Sequence, residues 1–135
     1  MKKPTLRTRA RDSRGQALVE FALVLPMLAT MLLAIVQFGI VFNHYIDLTD
    51  AVRAGARKAA VSSTAADPVG TTKTAVINSA GDIKLKTTDI TVTTPSGWTQ
   101  GADVTVQAAY PYSISILGIV VASGTMHSTT TERVE

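Results

Sequence analysis

An apolar run from Phe21 to Phe42 sets the main limit on what this chain can fold into. It is 22 residues long, and its only polar side chains are Thr30 and Gln37. As a helix rising about 1.5 Å per residue it covers roughly 33 Å, enough for a hydrocarbon core of about 30 Å. The remainder of the chain is rich in Thr and Ser, with too little apolar surface to wrap such a helix. A membrane span is therefore expected, rather than the buried helix of a soluble domain. A cleaved secretory signal would have a shorter apolar core, roughly 7–15 residues, followed by small residues at a cut site. Here the run stays apolar through Gln37-Phe38-Gly39-Ile40-Val41-Phe42. Pro26 lies inside it, removes the amide that would bond the carbonyl of Ala22, and favours a kink at that point.

The residues ahead of the run are strongly basic. Lys2, Lys3, Arg7, Arg9, Arg11 and Arg14 precede Gly15, with Asp12 as their one acid. The chain carries a formal charge of +3, yet after Gly15 seven Lys and Arg face nine Asp and Glu, a net charge of −2. The basic balance therefore belongs to the leader. A nucleic-acid-binding body, which needs its basic residues on the folded face, is not expected. A basic flank holds its side of a span in the cytoplasm, so residues 43–135 are expected to face outward. The 135 residues contain no cysteine, which leaves the compartment open. No phosphate-binding loop, zinc spacing or nucleophile motif occurs, and His44 and His127 stand alone as surface or packing residues. No enzyme, metal or cofactor is expected.

The junction itself reads Arg14-Gly15-Gln16-Ala17-Leu18-Val19-Glu20-Phe21. One carboxylate, Glu20, enters the apolar run five residues after the glycine. If the bond after Gly15 is cut, Gln16 gains a free ammonium, and Glu20 lies one helical turn further on. The carboxylate can then neutralise its own terminal amine or that of a neighbouring subunit, since an unpaired charge in an apolar setting is costly. Glycine also suits a cleavage site, because it has no Cβ to obstruct a protease. The plainer alternative is an interfacial Glu beside an incidental Gly.

Those residues resemble the processing site of type IV prepilins. The longer stretch from Arg14 to Pro26, then Gln37-Phe38-Gly39, then Ala51 to Ala60, is similar to the TadE-like pseudopilins of the tight adherence (Tad/Flp) pilus system. The resemblance covers about residues 14–61. It implies that a membrane-embedded prepilin peptidase cuts between Gly15 and Gln16, and that Glu20 and Phe21 serve recognition and assembly. It also implies other pilins and pseudopilins, the inner-membrane assembly machinery and the lipid bilayer as partners. One position departs from the pattern: members often carry an acid before the Phe-Gly pair, where this chain has Gln37.

The helix is expected to continue past the membrane. No Gly or Pro occurs from Ile40 to Ala54, and Ala51, Gly55 and Ala59 repeat every four residues beside Val52, Ala56 and Ala60. Such a small-residue stripe admits close approach of another backbone, either a neighbouring subunit or the chain's own sheet, with the chain's own sheet preferred. Asp50 and Arg53, at i and i+3, are placed to pair. Ser62 to Gly70 reads as a loop, and Thr72 to Ala80 as a short helix stopped by Gly81. Period-two patterns then begin. Ile90 and Val92 form one strand face; Val104, Val106, Ala108 and Tyr110 form another; Pro95 to Gly101 joins them as a hairpin connection. Pro111 ends that second strand or places it on an edge. Thr125 to Arg133 is a third strand, and Ile83 with Leu85 a short fourth beyond a turn or bulge. Ile114 to Val121 reads as an apolar loop or short helix that covers the sheet, touches the bilayer or meets a partner, with covering the sheet preferred. Trp98 is left undecided between an exposed contact and a fold back onto the sheet.

The expected fold is α+β. A long N-terminal helix, transmembrane in its lower half, carries a small antiparallel β-sheet on its upper half, as in pilins. The expected divisions are a basic cytoplasmic leader over 1–15, a transmembrane and stalk helix over 16–61, and an extracytoplasmic domain over 62–135. The expected function is that of a pilin-like structural subunit, cleaved after Gly15, acting as a minor or tip component of a Tad/Flp-type adhesion pilus. It would reside in the bacterial inner membrane and then in the pilus or at the cell surface. The alternative is an uncleaved single-pass membrane protein whose outer domain binds a partner.

Overall fold

A computed structural model describes residues 13–135. The expected basic leader lies outside the described residues except at its last three positions. One helix, α1, runs unbroken over Ser13–Ala60, 48 residues, about 72 Å at 1.5 Å per residue. It thus begins before Gln16 and includes Gly15 and Pro26. The hydroxyl of Thr30 donates to the carbonyl of Pro26 at 2.8 Å, so the polar side chain in this part of the run is satisfied by its own helix.

α1 has two unlike halves. Every residue from Gly15 to Leu33 is exposed. Burial begins at Ala34 and follows a stripe through Gln37, Val41, His44, Leu48, Ala51 and Gly55, at steps of three or four. That spacing keeps one side of a helix turned toward a neighbour. The neighbours are a second helix, α2 (Pro68–Asn78), and a sheet of β1 (Ile90–Thr93), β2 (Asp103–Ile116) and β3 (Ile119–Arg133). The order is β1-β2-β3, all antiparallel. The architecture is α+β: a long apolar helix with a small three-stranded sheet on its upper part.

The core is built where these elements meet. Leu48, Val52, Val76, Val104, Val106 and Ala108 are completely buried, and Ile90 nearly so. Each large side chain there contributes roughly 1.5–3 kcal/mol by leaving water. Trp98 packs against this cluster from the β1–β2 connection, which settles its position. Register also follows the polar rim: Asp103 pairs with Arg133, and Thr105 with Thr131, whose hydroxyls lie 2.8 Å apart. The chain ends on the helix it started from. The amide of Glu135 donates to the carbonyl of Ala60 at 2.9 Å, satisfying one of the last carbonyls of α1. Val134 beside it is buried.

Three expectations need correction. The stretch from Ser62 to Gly70 is not all loop, because α2 starts at Pro68. Asp67 is its N-cap, its carboxylate accepting from the amide of Gly70 at 2.8 Å, and Pro68 fills the first turn where no amide is required. Ile83 and Leu85 form no fourth strand; both are buried core residues on an irregular segment that leads into a single tight turn, Thr87–Asp89. The apolar stretch from Ile114 to Val121 is neither loop nor helix. It is the far end of the β2–β3 hairpin, which turns at Leu117 and Gly118, both with positive φ (52° and 83°). Pro111 does not end β2, which runs on to Ile116. It lies three positions beyond Ala108, the last residue paired with β1, and an open edge is where a strand tolerates proline.

Candidate functional site

Between Phe21 and Ile46 the chain has no Asp, Glu, Lys or Arg. The junction at the lower end of this stretch is the chemically distinctive part of the helix. Gly15, Gln16, Glu20 and Phe21 all lie on α1 and are all exposed, Phe21 by 58%. The side-chain amide of Gln16 donates to Oε1 of Glu20 at 3.0 Å. That bond puts residues 16 and 20 on one helix face, a turn apart, as i,i+4 spacing requires. Its donor is neutral, so a cationic group at residue 16 would find the carboxylate within the same turn.

Among the described residues, no packing contact requires glycine at position 15. A Cβ built there meets no atom within 4 Å. Glycine nevertheless costs a helix about 1 kcal/mol relative to alanine. Gly55 contrasts with it: a Cβ at that position would overlap the Cγ2 methyl of Val76 on α2. There glycine is what lets the two helices approach.

The small-residue stripe is used within the chain. Ala51, Gly55 and Ala59 are buried, as are Val52, Ala56 and Ala60, under α2 and the sheet. This face is therefore not open to a neighbouring subunit. Asp50 and Arg53 form the i,i+3 ion pair at 3.6 Å on the exposed side, a setting in which such a pair contributes a few tenths of a kcal/mol. Gln37, the position that departs from the family pattern, is half-buried on the face toward the hairpin. His44 meets Tyr110 edge-on, with ring centroids 5.9 Å apart, and His127 is exposed. Among the described residues, no three His, Cys, Asp or Glu side chains gather as a metal site.

The lower β2–β3 hairpin contains Ile114 to Val121, the segment expected to cover the sheet, touch the bilayer or meet a partner; its hairpin structure is what the sequence reading missed. The available signal was weak: a Leu-Gly pair flanked by Ile, Ser and Val, without the Asn-Gly or Asp-Gly that usually announces a two-residue turn.

An exposed apolar helix, long enough to cross a membrane and carrying a folded domain on one end, defines a helix-anchored α+β protein. Residues 15–57, about a third of the chain, match the family model described as TadE-like protein. The match begins at the glycine of the junction and ends within the buried stripe. It is consistent with a protein of the Tad pilus system. Comparison with curated proteins and with solved structures gave no match.

Proposed function

We propose that this chain is a pilin-like structural subunit of a Tad/Flp-type pilus, a minor or tip component, rather than an enzyme. It is made with a basic leader held in the cytoplasm, inserted by the apolar half of α1, and cut by a prepilin peptidase between Gly15 and Gln16. Other pilins, pseudopilins and the inner-membrane assembly machinery are its partners, and adhesion is the property of the fibre it helps to build. The observation that carries this reading is the hydrogen bond from Gln16 to Glu20 on a helix face that the chain leaves bare. Cleavage would place an ammonium on residue 16 within a turn of a carboxylate that an apolar environment penalises strongly when alone.

Glu20 thus acts as a register key. It accepts the amine of its own chain or of the next subunit as the helices assemble, and a misplaced subunit leaves charges without partners. Gly15 supports the same reading: it packs against nothing among the described residues, yet it loosens the helix where a protease must draw out the backbone. The sheet on the upper helix favours a minor component, because the bulk pilins of the resembled system are little more than the helix.

Complementation of a strain lacking this chain tests the proposal. The wild-type chain should restore surface pili. Glu20→Ala should reach the membrane at normal levels and fail to restore them. Normal piliation without the chain would overturn the structural role, and wild-type assembly of Glu20→Ala would overturn the charge-pairing step.

A further inference from the structure

The β2–β3 hairpin is longer than the sheet needs. β1 pairs only with Thr105 to Ala108, whereas β2 and β3 stay paired to Ile116 and Ile119. The lower part is a two-stranded arm, and it descends along α1 toward the bare half. Tyr110 meets His44. Below it, Tyr112 and Ile114 border a groove of about 270 Å³ shared with Phe38, Val41 and Tyr45. Lower still, Ile116, Val121 and Ala122 border a groove of about 460 Å³ shared with Met31, Ile35 and Phe38. The arm thus passes about 13 residues of helix, roughly 20 Å, and its tip reaches the level of Met31, inside the apolar run.

Its chemistry changes with that descent. From Val104 to Thr131 there is no Asp, Glu, Lys or Arg. All three tyrosines of the chain, Tyr45, Tyr110 and Tyr112, sit at the top of the arm, the position tyrosine takes at a membrane–water boundary. At the tip, Leu117, Ile119, Val120 and Val121 are 79%, 69%, 60% and 57% exposed. Leu117 occupies a left-handed turn position that Asn, Asp or Gly fills with less strain. An apolar side chain there, pointing at no part of the chain's own core, is explained by an apolar medium outside it.

We propose that the tip of the β2–β3 arm, Leu117 to Val121, is seated in the acyl-chain boundary of the leaflet adjoining the folded domain, with lipid filling the groove between arm and helix. Depth is limited by the backbone: a two-stranded ribbon has open edges, which the centre of a bilayer does not tolerate. Centred on Phe21 to Phe42, the span would carry Met31 to the bilayer centre. A span of about 20 residues from Ala17 to Val36, which brings Glu20 about 5 Å inside the opposite boundary, keeps the tip near the surface. Met31 then lies roughly 8 Å inside the hydrocarbon boundary, a depth typical of interfacial elements. Tyr112, which shares its groove with Phe38 and Val41, lies at the level of the headgroups, with Tyr110 and Tyr45 just outside them. Lipid is the occupant because it already surrounds the helix at that level, where every residue from Gly15 to Leu33 is exposed. The inference rests on the helix crossing the membrane, and on neither cleavage nor pilus assembly.

The chain has no cysteine, so a single one carries a single label. Full-length Val120→Cys, Leu28→Cys and Thr129→Cys, each with a nitrobenzoxadiazole fluorophore, are placed in phosphatidylcholine–phosphatidylglycerol vesicles. Lipids with a nitroxide on the acyl chain should quench the labels at 120 and 28, and a water-soluble quencher should reach only the label at 129. Leu117→Cys repeats the tip measurement if Val120→Cys folds poorly. Quenching at 28 with a tip label open to water overturns the proposal and leaves the anchor intact. Loss of quenching at both positions overturns the anchor and the proposal together. A tip label shielded from both quenchers, and cross-linked between copies at high lipid dilution, shows a second chain as the occupant and overturns it as well.

Discussion

Two glycines show how one residue type serves opposite ends of α1. Gly55 lies where Val76 of α2 touches the helix backbone, and Val76 is fully buried, with no room to withdraw. Gly55→Ala should therefore destabilise the folded domain by about 1–3 kcal/mol, the usual range for overpacking, despite the better helix propensity of alanine. Denaturant unfolding of the protein in mild detergent measures this. Adding Val76→Ala should cost less than the sum of the two single changes, because it removes the atom that clashes; strict additivity would show that this contact is not the cause. Gly15 faces open space, so Gly15→Ala should leave that same unfolding transition unchanged.

At the level of elements, the parts with strong periodicity were legible in the sequence and the parts that depend on distant pairing were not. α1 announces itself through an uninterrupted apolar run followed by small residues at four-residue steps. β1 and the upper half of β2 show clean alternation, since one face is buried and the other wet. The start of α2 was hidden by composition: Ser, Thr, Ala and Asp resemble a loop until Asp67-Pro68 is recognised as cap and first turn. The hairpin arm was hidden because the alternation of Tyr112, Ile114 and Ile116 with Ser113 and Ser115 gives way to the apolar stretch Ile116-Leu117-Gly118-Ile119-Val120-Val121, which reads as one short apolar segment rather than two strands. What makes it two strands is pairing across the Leu117-Gly118 turn, beside a helix far away in sequence. The junction residues were visible as a motif, and the small-residue stripe pointed to packing on the chain's own sheet, but the sequence could not show that helix runs through Gly15 or that α2 shares that stripe. The C-terminal end of β3 carries a further test. Val134 is buried, and the chain around it bonds Gly101, Ala102 and the end of α1. Val134→Ala should lower stability by about 1–3 kcal/mol, at the lower part of the range for apolar truncation in a core. An unfolding midpoint within error of wild type would show that this anchoring contributes little.

The whole molecule is a division of labour along one helix. Its upper half is committed to a small core of α2 and three strands. Its lower half, bare from Gly15 to Leu33, has no partner among the described residues, which leaves that surface to lipid or to other helices. Glu20 stands at the far end of that bare surface, one turn from the residue that cleavage would turn into an N-terminus. Everything proposed about assembly depends on whether that terminus is made. Intact mass and N-terminal sequencing of the protein, purified from membranes of cells holding its prepilin peptidase, decide the matter. The expected first residue is Gln16, with the leader retained when the peptidase is inactivated. A mature chain that keeps Arg14 and Gly15 in the presence of active peptidase would contradict it.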